Sequence, residues 1–146
     1  TPEEWDGFQT FVTERGDCFH CHGYPLMTSN TFDNNGLDFA TTIGLGRYQI
    51  TKDSFDIGKF SVPTLRNIEL TAPYMHDGRF QTLEEVVEFY NSGVHGESPN
   101  ISPLLTKPAK KYGLNLTAQQ KANLVIFLKT LTDTSFINNP DFKNPL

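Results

Sequence analysis

Cys18-Phe19-His20-Cys21-His22 decides how this chain is read. In a Cys-x-x-Cys-His run two thiols can form thioether bonds to the vinyl groups of a haem while the next imidazole reaches the iron, so one short turn fixes porphyrin and metal together. Cys18 and Cys21 are the only cysteines, so with both consumed no disulfide is possible. Two other uses of the pair ask for more. A zinc site needs two further ligands grouped nearby, and although His20, His22, His76 and His95 offer donors, the sequence has no second compact ligand pair. A thioredoxin-like dithiol needs a surrounding βαβ pattern. The motif therefore reads as attachment of one covalent haem c, with His22 as an axial ligand and His20 as a filler position.

The chain of 146 residues suits one domain over 1–146, long enough to bury a core and short for two. Twelve Phe against one Trp suit packing round a flat cofactor, although any compact fold uses Phe this way. A net charge of −5 leaves no basic stripe to release phosphate counterions, which excludes nucleic acid as the expected partner and disfavours anionic membrane surfaces. The longest apolar run, Leu124-Val125-Ile126-Phe127-Leu128, is far below the ~20 residues that span a bilayer, so no insertion is expected. The sequence opens at Thr1 without an initiator Met or a charged-then-apolar leader, as in a mature product or a domain of something longer. Because haem is attached to Cys-x-x-Cys-His outside the cytoplasm, the expected location is periplasmic or otherwise exported.

Around the motif, helix signals alternate with loops. Thr1-Pro2-Glu3-Glu4 forms a capping box with Pro in the first turn, and Trp5, Phe8, Phe11 and Val12 recur at helical spacing up to Gly16, expected to end the helix. From Gly23 to about Val62 the helical period is lost among Asn, Asp, Gly and Thr, as in residues 31–36 and Ile43-Gly44-Leu45-Gly46. So long a span without helix is expected to wrap the haem edge. Pro63 to Leu70 reads as a short helix opened by Pro and broken at Pro73, followed by a tight loop, Tyr74-Met75-His76-Asp77-Gly78. Thr82-Leu83-Glu84-Glu85 and Thr117-Ala118-Gln119-Gln120 are further capping boxes, opening helices that end at Asn91-Ser92-Gly93 and near Leu131. Pro99, Pro103 and Pro108 mark the loop between them, and the tail from Asp133 reads as polar coil.

The ligand opposite His22 separates an electron carrier from a catalyst. A Met thioether gives a six-coordinate iron of raised potential, whereas an open position admits peroxide or oxygen. Met27 stands too close to His22 to reach the other face and reads as a gap-filling core residue. Met75, in a loop between a Pro break and a Gly turn, is the candidate; His76 beside it and His95 are the alternatives. Arg47, Arg66 and Arg79 compete for the haem propionates, with Arg66 first because it stands between apolar Leu65 and Ile68, where an unpaired charge is costly.

Several runs resemble the C-terminal haem domain of the bacterial di-haem cytochrome c peroxidase family, which includes the methylamine-utilisation di-haem enzymes. They are residues 32–37, residues 56–67, Thr71-Ala72-Pro73-Tyr74-Met75-His76-Asp77-Gly78, residues 83–91 and the closing helix to Asp133, in the family's order. The resemblance implies an all-α cytochrome c-like fold, with helices and long loops round one haem, and places at Met75 the axial ligand of the electron-receiving haem. Pro63, Leu65 and Tyr74, inside the matching runs, join Cys18, Cys21, His22, Met75 and Arg66 as cofactor-binding residues. Relatives with Tyr at the Met75 position do oxidative chemistry. The family's peroxide-binding haem belongs to a separate N-terminal domain, and calcium sits between the two domains with no ligands assignable here. The expected function is electron transfer with a small redox protein or a second haem domain, the alternative being peroxide reduction with His76 as local acid or base.

Overall fold

The computed structural model describes residues 1–39, 44–110 and 113–142. All three capping boxes form. In α1 (Pro2–Val12) Thr1 Oγ1 accepts from the Glu4 amide at 3.2 Å. In α3 (Leu83–Glu88) Thr82 and Glu85 exchange bonds of 2.9 and 3.2 Å, and in α4 (Ala118–Lys129) Thr117 and Gln120 do the same. Each box satisfies two amides that a helix start otherwise leaves open. Among the described residues α2 (Tyr48–Thr51) and α5 (Thr134–Ile137) are single α-helical turns. Among the described residues the strands form one antiparallel ribbon, β1 (Phe32–Asp33) on β2 (Phe60–Ser61), with Phe32 opposite Ser61 and Asp33 opposite Phe60.

α1 and α4 form the main helix pair. They cross at Gly7, where an added Cβ would lie 2.0 Å from the Asn123 carbonyl oxygen, so only glycine permits this approach. Phe8 and Phe11 then meet Phe127 at ring-centroid distances of 5.5 and 5.2 Å, and Asn123 Nδ2 donates to Asp6 Oδ2 at 2.8 Å. The core built on this pair takes in Met27, Tyr74, Leu83, Val87, Leu116, Leu124, Val125 and Leu128. Leu131, at the end of the expected stripe, is only partly buried against it. No helix among the described residues is long and apolar enough to cross a membrane.

Four local expectations are corrected. α1 ends at Val12, ahead of Gly16; Gly16 instead donates its amide to Thr10 O at 2.9 Å, so close that a Cβ would sit 2.5 Å from that oxygen. Pro63 to Leu70 holds no α-helix, only a 3-10 turn at Ile68–Leu70, because its backbone is spent elsewhere: Val62 N donates to Thr31 O, Leu65 N to Met27 O, and Val62 O accepts from Thr28 Oγ1. α3 ends at Glu88, ahead of Asn91, and passes into a π turn, Phe89–Gly93, which finishes within the expected Asn91-Ser92-Gly93 stop. The chain past Asp133 is not simple coil, since Asp133 Oδ1 caps α5 through the Ser135 and Phe136 amides. Of the loop-rich span, Ile43 lies outside the described residues, as does the tail beyond residue 142.

Candidate functional site

The 3-10 turn Cys18–His20 closes on itself, with Cys18 O accepting from the amides of Cys21 and His22 at 3.3 and 2.9 Å. This brings the His22 ring against a second segment. Its Nδ1 lies 3.1 Å from Pro63 O and 3.3 Å from Met27 O. Carbonyl oxygens only accept, so Nδ1 carries the hydrogen and the lone pair is left on Nε2, the tautomer a metal ligand needs. Burial lowers the His22 pKa, and the two carbonyls oppose that more weakly, so the neutral ring is favoured. The Met27 carbonyl is itself fixed by the Leu65 amide, which donates to it at 3.1 Å, and the preceding carbonyl, Leu26 O, accepts from Thr64 Oγ1 at 2.6 Å.

Both cysteines are free and half-buried. Burial pushes the Cys18 thiol up to about 12 and the Cys21 thiol up to about 11. Reactive dithiols and zinc thiolates need the opposite shift, whereas a pair of neutral thiols on one turn beside an available imidazole Nε2 fits covalent haem attachment. Among the described residues the set of three donors that does converge is Glu14, Asp17 and His20, which contains neither cysteine. Its centre is already neutralised. The Asp17 carboxylate meets Lys107 and Lys110, each at 2.7 Å, and His20 Nδ1, while Lys107 also pairs with Glu14 at 3.1 Å. Burial pushes Asp17 up, but the hydrogen bonds from Lys107 and His20 and the Lys110 ammonium beside it outweigh that and hold the carboxyl below its usual range. His20 is thus an anchor of the turn rather than filler.

Met75 sits in the expected tight loop, closed by Gly78 N donating to Met75 O at 3.3 Å. Its φ of +73° is unusual for a residue with a side chain, and such strain persists only where surroundings over-determine it. Tyr74 supplies part of that hold: it is buried, its amide donates to Phe80 O at 2.7 Å and its hydroxyl to Ile68 O at 3.0 Å. Asn35 Nδ2 lies 3.5 Å from Met75 Sδ and 3.4 Å from Tyr90 Oη. Tyr90, in the π turn, is pushed up to about 12 by burial, which outweighs the opposing hydrogen bond from Asn35. Contacts therefore run from Tyr90 through Asn35 to Met75.

The alternative ligands have other partners. His76 stacks on Phe60 at 3.8 Å and 11°, with Nε2 3.8 Å from Asp38 Oδ2, and the His95 ring lies against Phe39 at 3.8 Å, tilted by 31°. Met27 is buried in the core. Of the arginines, Arg47 pairs with Asp56 at 3.2 Å and Arg79 with Asp38 and Asp77 at 2.6 Å. Arg66 makes no ion pair among the described residues, but it is exposed, not enclosed between Leu65 and Ile68, because it stands in the turn that leads into the Ile68–Leu70 3-10 turn. Pro63 is exposed and Leu65 packs partly buried against the core. Sequence reasoning missed Asn35, Tyr90, Asp17 and Lys110. Asn34-Asn35-Gly36 reads as turn chemistry, and nothing in it announces a contact forty residues away.

No protein-family model matches the chain. It is 33% identical over 90% of its length to the cytochrome-c peroxidase IdrP2 of Denitromonas iodatirespirans, covering 40% of that protein. It is 32% identical over 99% of its length to the cytochrome c551 peroxidase of Nitrosomonas europaea, covering 37% of it. A solved MauG-like protein associated with microbial copper homeostasis superposes with a TM-score of 0.83 at 40% identity, over 99% of this chain and 51% of its own. The chain thus spans about two fifths of the curated relatives it matches and about half of that solved structure.

Proposed function

We propose that this chain, which belongs to the di-haem cytochrome c peroxidase family and matches about two fifths of its relatives' length, is a monohaem electron-transfer domain with a cytochrome c-like all-α fold. Cys18 and Cys21 attach one haem c, His22 and Met75 are the axial ligands, and Pro63, Leu65 and Tyr74 frame the cofactor. Haem c supplies a one-electron Fe(III)/Fe(II) couple. The observation that carries the reading is the His22 tautomer: Pro63 O and Met27 O hold the Nδ1 hydrogen and leave Nε2 free. Arg66, the arginine of the three without an ion pair among the described residues, pairs with a propionate. The partner is a small redox protein or a second haem domain, the setting periplasmic, and the net charge of −5 steers a basic donor. Calcium has no assigned ligands.

The test is the ferric optical spectrum of the haem-loaded protein. The parent should carry the weak far-red band of a Met-ligated iron, and Met75→Ala should abolish it. A spectrum unchanged by that substitution refutes Met75 as ligand. A second reading, peroxide reduction, draws on the peroxidase names of the relatives. It requires Met75 to leave and His76 to move protons, yet His76 is stacked on Phe60 and turned to Asp38. Peroxide turnover by this chain, together with a high-spin resting ferric state, would favour it.

A further inference from the structure

Asn35 is held by every polar atom of its side chain. Oδ1 accepts from the Leu37 amide at 3.2 Å, and Nδ2 faces Tyr90 Oη at 3.4 Å and Met75 Sδ at 3.5 Å. The first contact settles the orientation of the carboxamide, since a backbone N–H is met only by the oxygen, so the face turned to the sulfur is the N–H face. The backbone around it is equally fixed. Asn34 Nδ2 donates to Ser98 Oγ and Pro99 O, Asn34 Oδ1 accepts from the Gly36 amide, and Gly36 takes a φ of +72° where a Cβ would meet Val94 and Ile101 below 3.0 Å. Asn35 is therefore presented from a rigid turn to a thioether that itself sits in a strained loop.

We propose that Asn35 is the positioning residue for the Met75 ligand: its amide donates to one sulfur lone pair, directs the other toward the iron position, and sets how strongly the thioether donates. The proposal rests on the Met75 reading and deepens it. A thioether has two lone pairs and is a weak acceptor. Occupying one by a hydrogen bond draws electron density from the sulfur and makes it a poorer donor, which favours the more electron-rich, reduced state of the site. Tyr90 serves as the second acceptor that keeps the carboxamide from rotating away.

The experiment compares the haem-loaded parent with Asn35→Ser and Asn35→Leu. Serine keeps an oxygen able to accept from the Leu37 amide and so preserves the turn, but is too short to reach Met75; leucine keeps the bulk and loses all polarity. In both, the far-red band should persist with altered intensity, and the ferric/ferrous equilibrium should move toward ferric by about threefold, a potential lower by roughly 28 mV for one electron at 59 mV per tenfold. Thermal unfolding of Asn35→Ser serves as the structural control. If Asn35→Ser folds, keeps the band and leaves the potential unchanged, Asn35 does not tune Met75 and the proposal is wrong. A parent that lacks the band, or a Met75→Ala variant that keeps it, instead removes the ligand assignment itself.

Discussion

Replacing Asp17 by Asn should cost more than any other single polar substitution next to the Cys-x-x-Cys-His turn. The Asp17 and Lys110 side chains are only 6% and 8% exposed and lie 2.7 Å apart. Removing one partner of a buried pair leaves the other charge uncompensated, which costs ~3–5 kcal/mol. Lys107 and His20, about one third exposed, sit at the rim and add ~0–1 kcal/mol each. The expected loss is about 4 kcal/mol out of a total stability of roughly 5–15 kcal/mol. Urea unfolding at pH 7 measures it, with Lys110→Met and the double variant completing a cycle. The double variant should recover roughly half the loss, because the stranded ammonium is gone. The sign with pH is also fixed. The Asp17 pKa lies below its ordinary 3.8, so its stabilisation is present above that value and is lost as pH falls through the lowered one. Asp17→Asn should therefore flatten the acid limb below about pH 4. A cost under ~1 kcal/mol at pH 7, or strict additivity of the two substitutions, would refute the reasoning.

Met27→Ala should destabilise by about 2–4 kcal/mol, the cost of emptying a core position, while leaving the ferric far-red band intact; loss of the band with stability unchanged would make Met27 a ligand rather than packing. Glu88, paired with Lys121 and bonded to Ser92, has its pKa lowered to about 2 from an ordinary 4.5. Its contribution is complete above pH 4.5 and fades toward pH 2, so Glu88→Gln should narrow the stability gap to the parent across that window. Half exposure of the carboxylate keeps the effect near pH 7 under ~1 kcal/mol, and a gap that widens on acidification would contradict the assignment.

Helix starts were legible because a capping box is local: Thr1 with Glu4, Thr82 with Glu85 and Thr117 with Gln120 all satisfy each other within one turn. The motif residues were legible for the same reason. Pro63 misled because proline is equally at home at a helix start and in extended chain, and what decides is the distant loop that takes the Val62 and Leu65 amides. The π turn that carries Tyr90 was invisible, since it is imposed from outside: Asn91 O and Oδ1 receive the amides of Leu114 and Leu116. Arg66 was ranked by its sequence neighbours, but it falls in a turn, where its side chain is exposed while Leu65 packs partly buried against the core.

The distribution of these contacts has a consequence for how the site holds its shape. His22 depends on Met27 and Pro63, Met75 on Tyr74 and Asn35, and Cys18 on Asp17 with Lys107 and Lys110. Each candidate ligand is thus restrained by a partner far away in sequence, mostly through directional polar bonds rather than through the hydrophobic core. Loss of one such bond moves one ligand and leaves the α1–α4 core standing, whereas loss of core packing loosens them all. An electron carrier profits from that arrangement, because a ligand that cannot shift between oxidation states adds little to the barrier for transfer. A site that must release its sixth ligand to admit peroxide would need a looser Met75 than one tied at both backbone and sulfur. That contrast makes the Asn35 variants informative for function as well as for tuning: if untying the sulfur turns a low-spin ferric site into one that reacts with peroxide, the difference between the two chemistries in this fold lies in one side-chain amide.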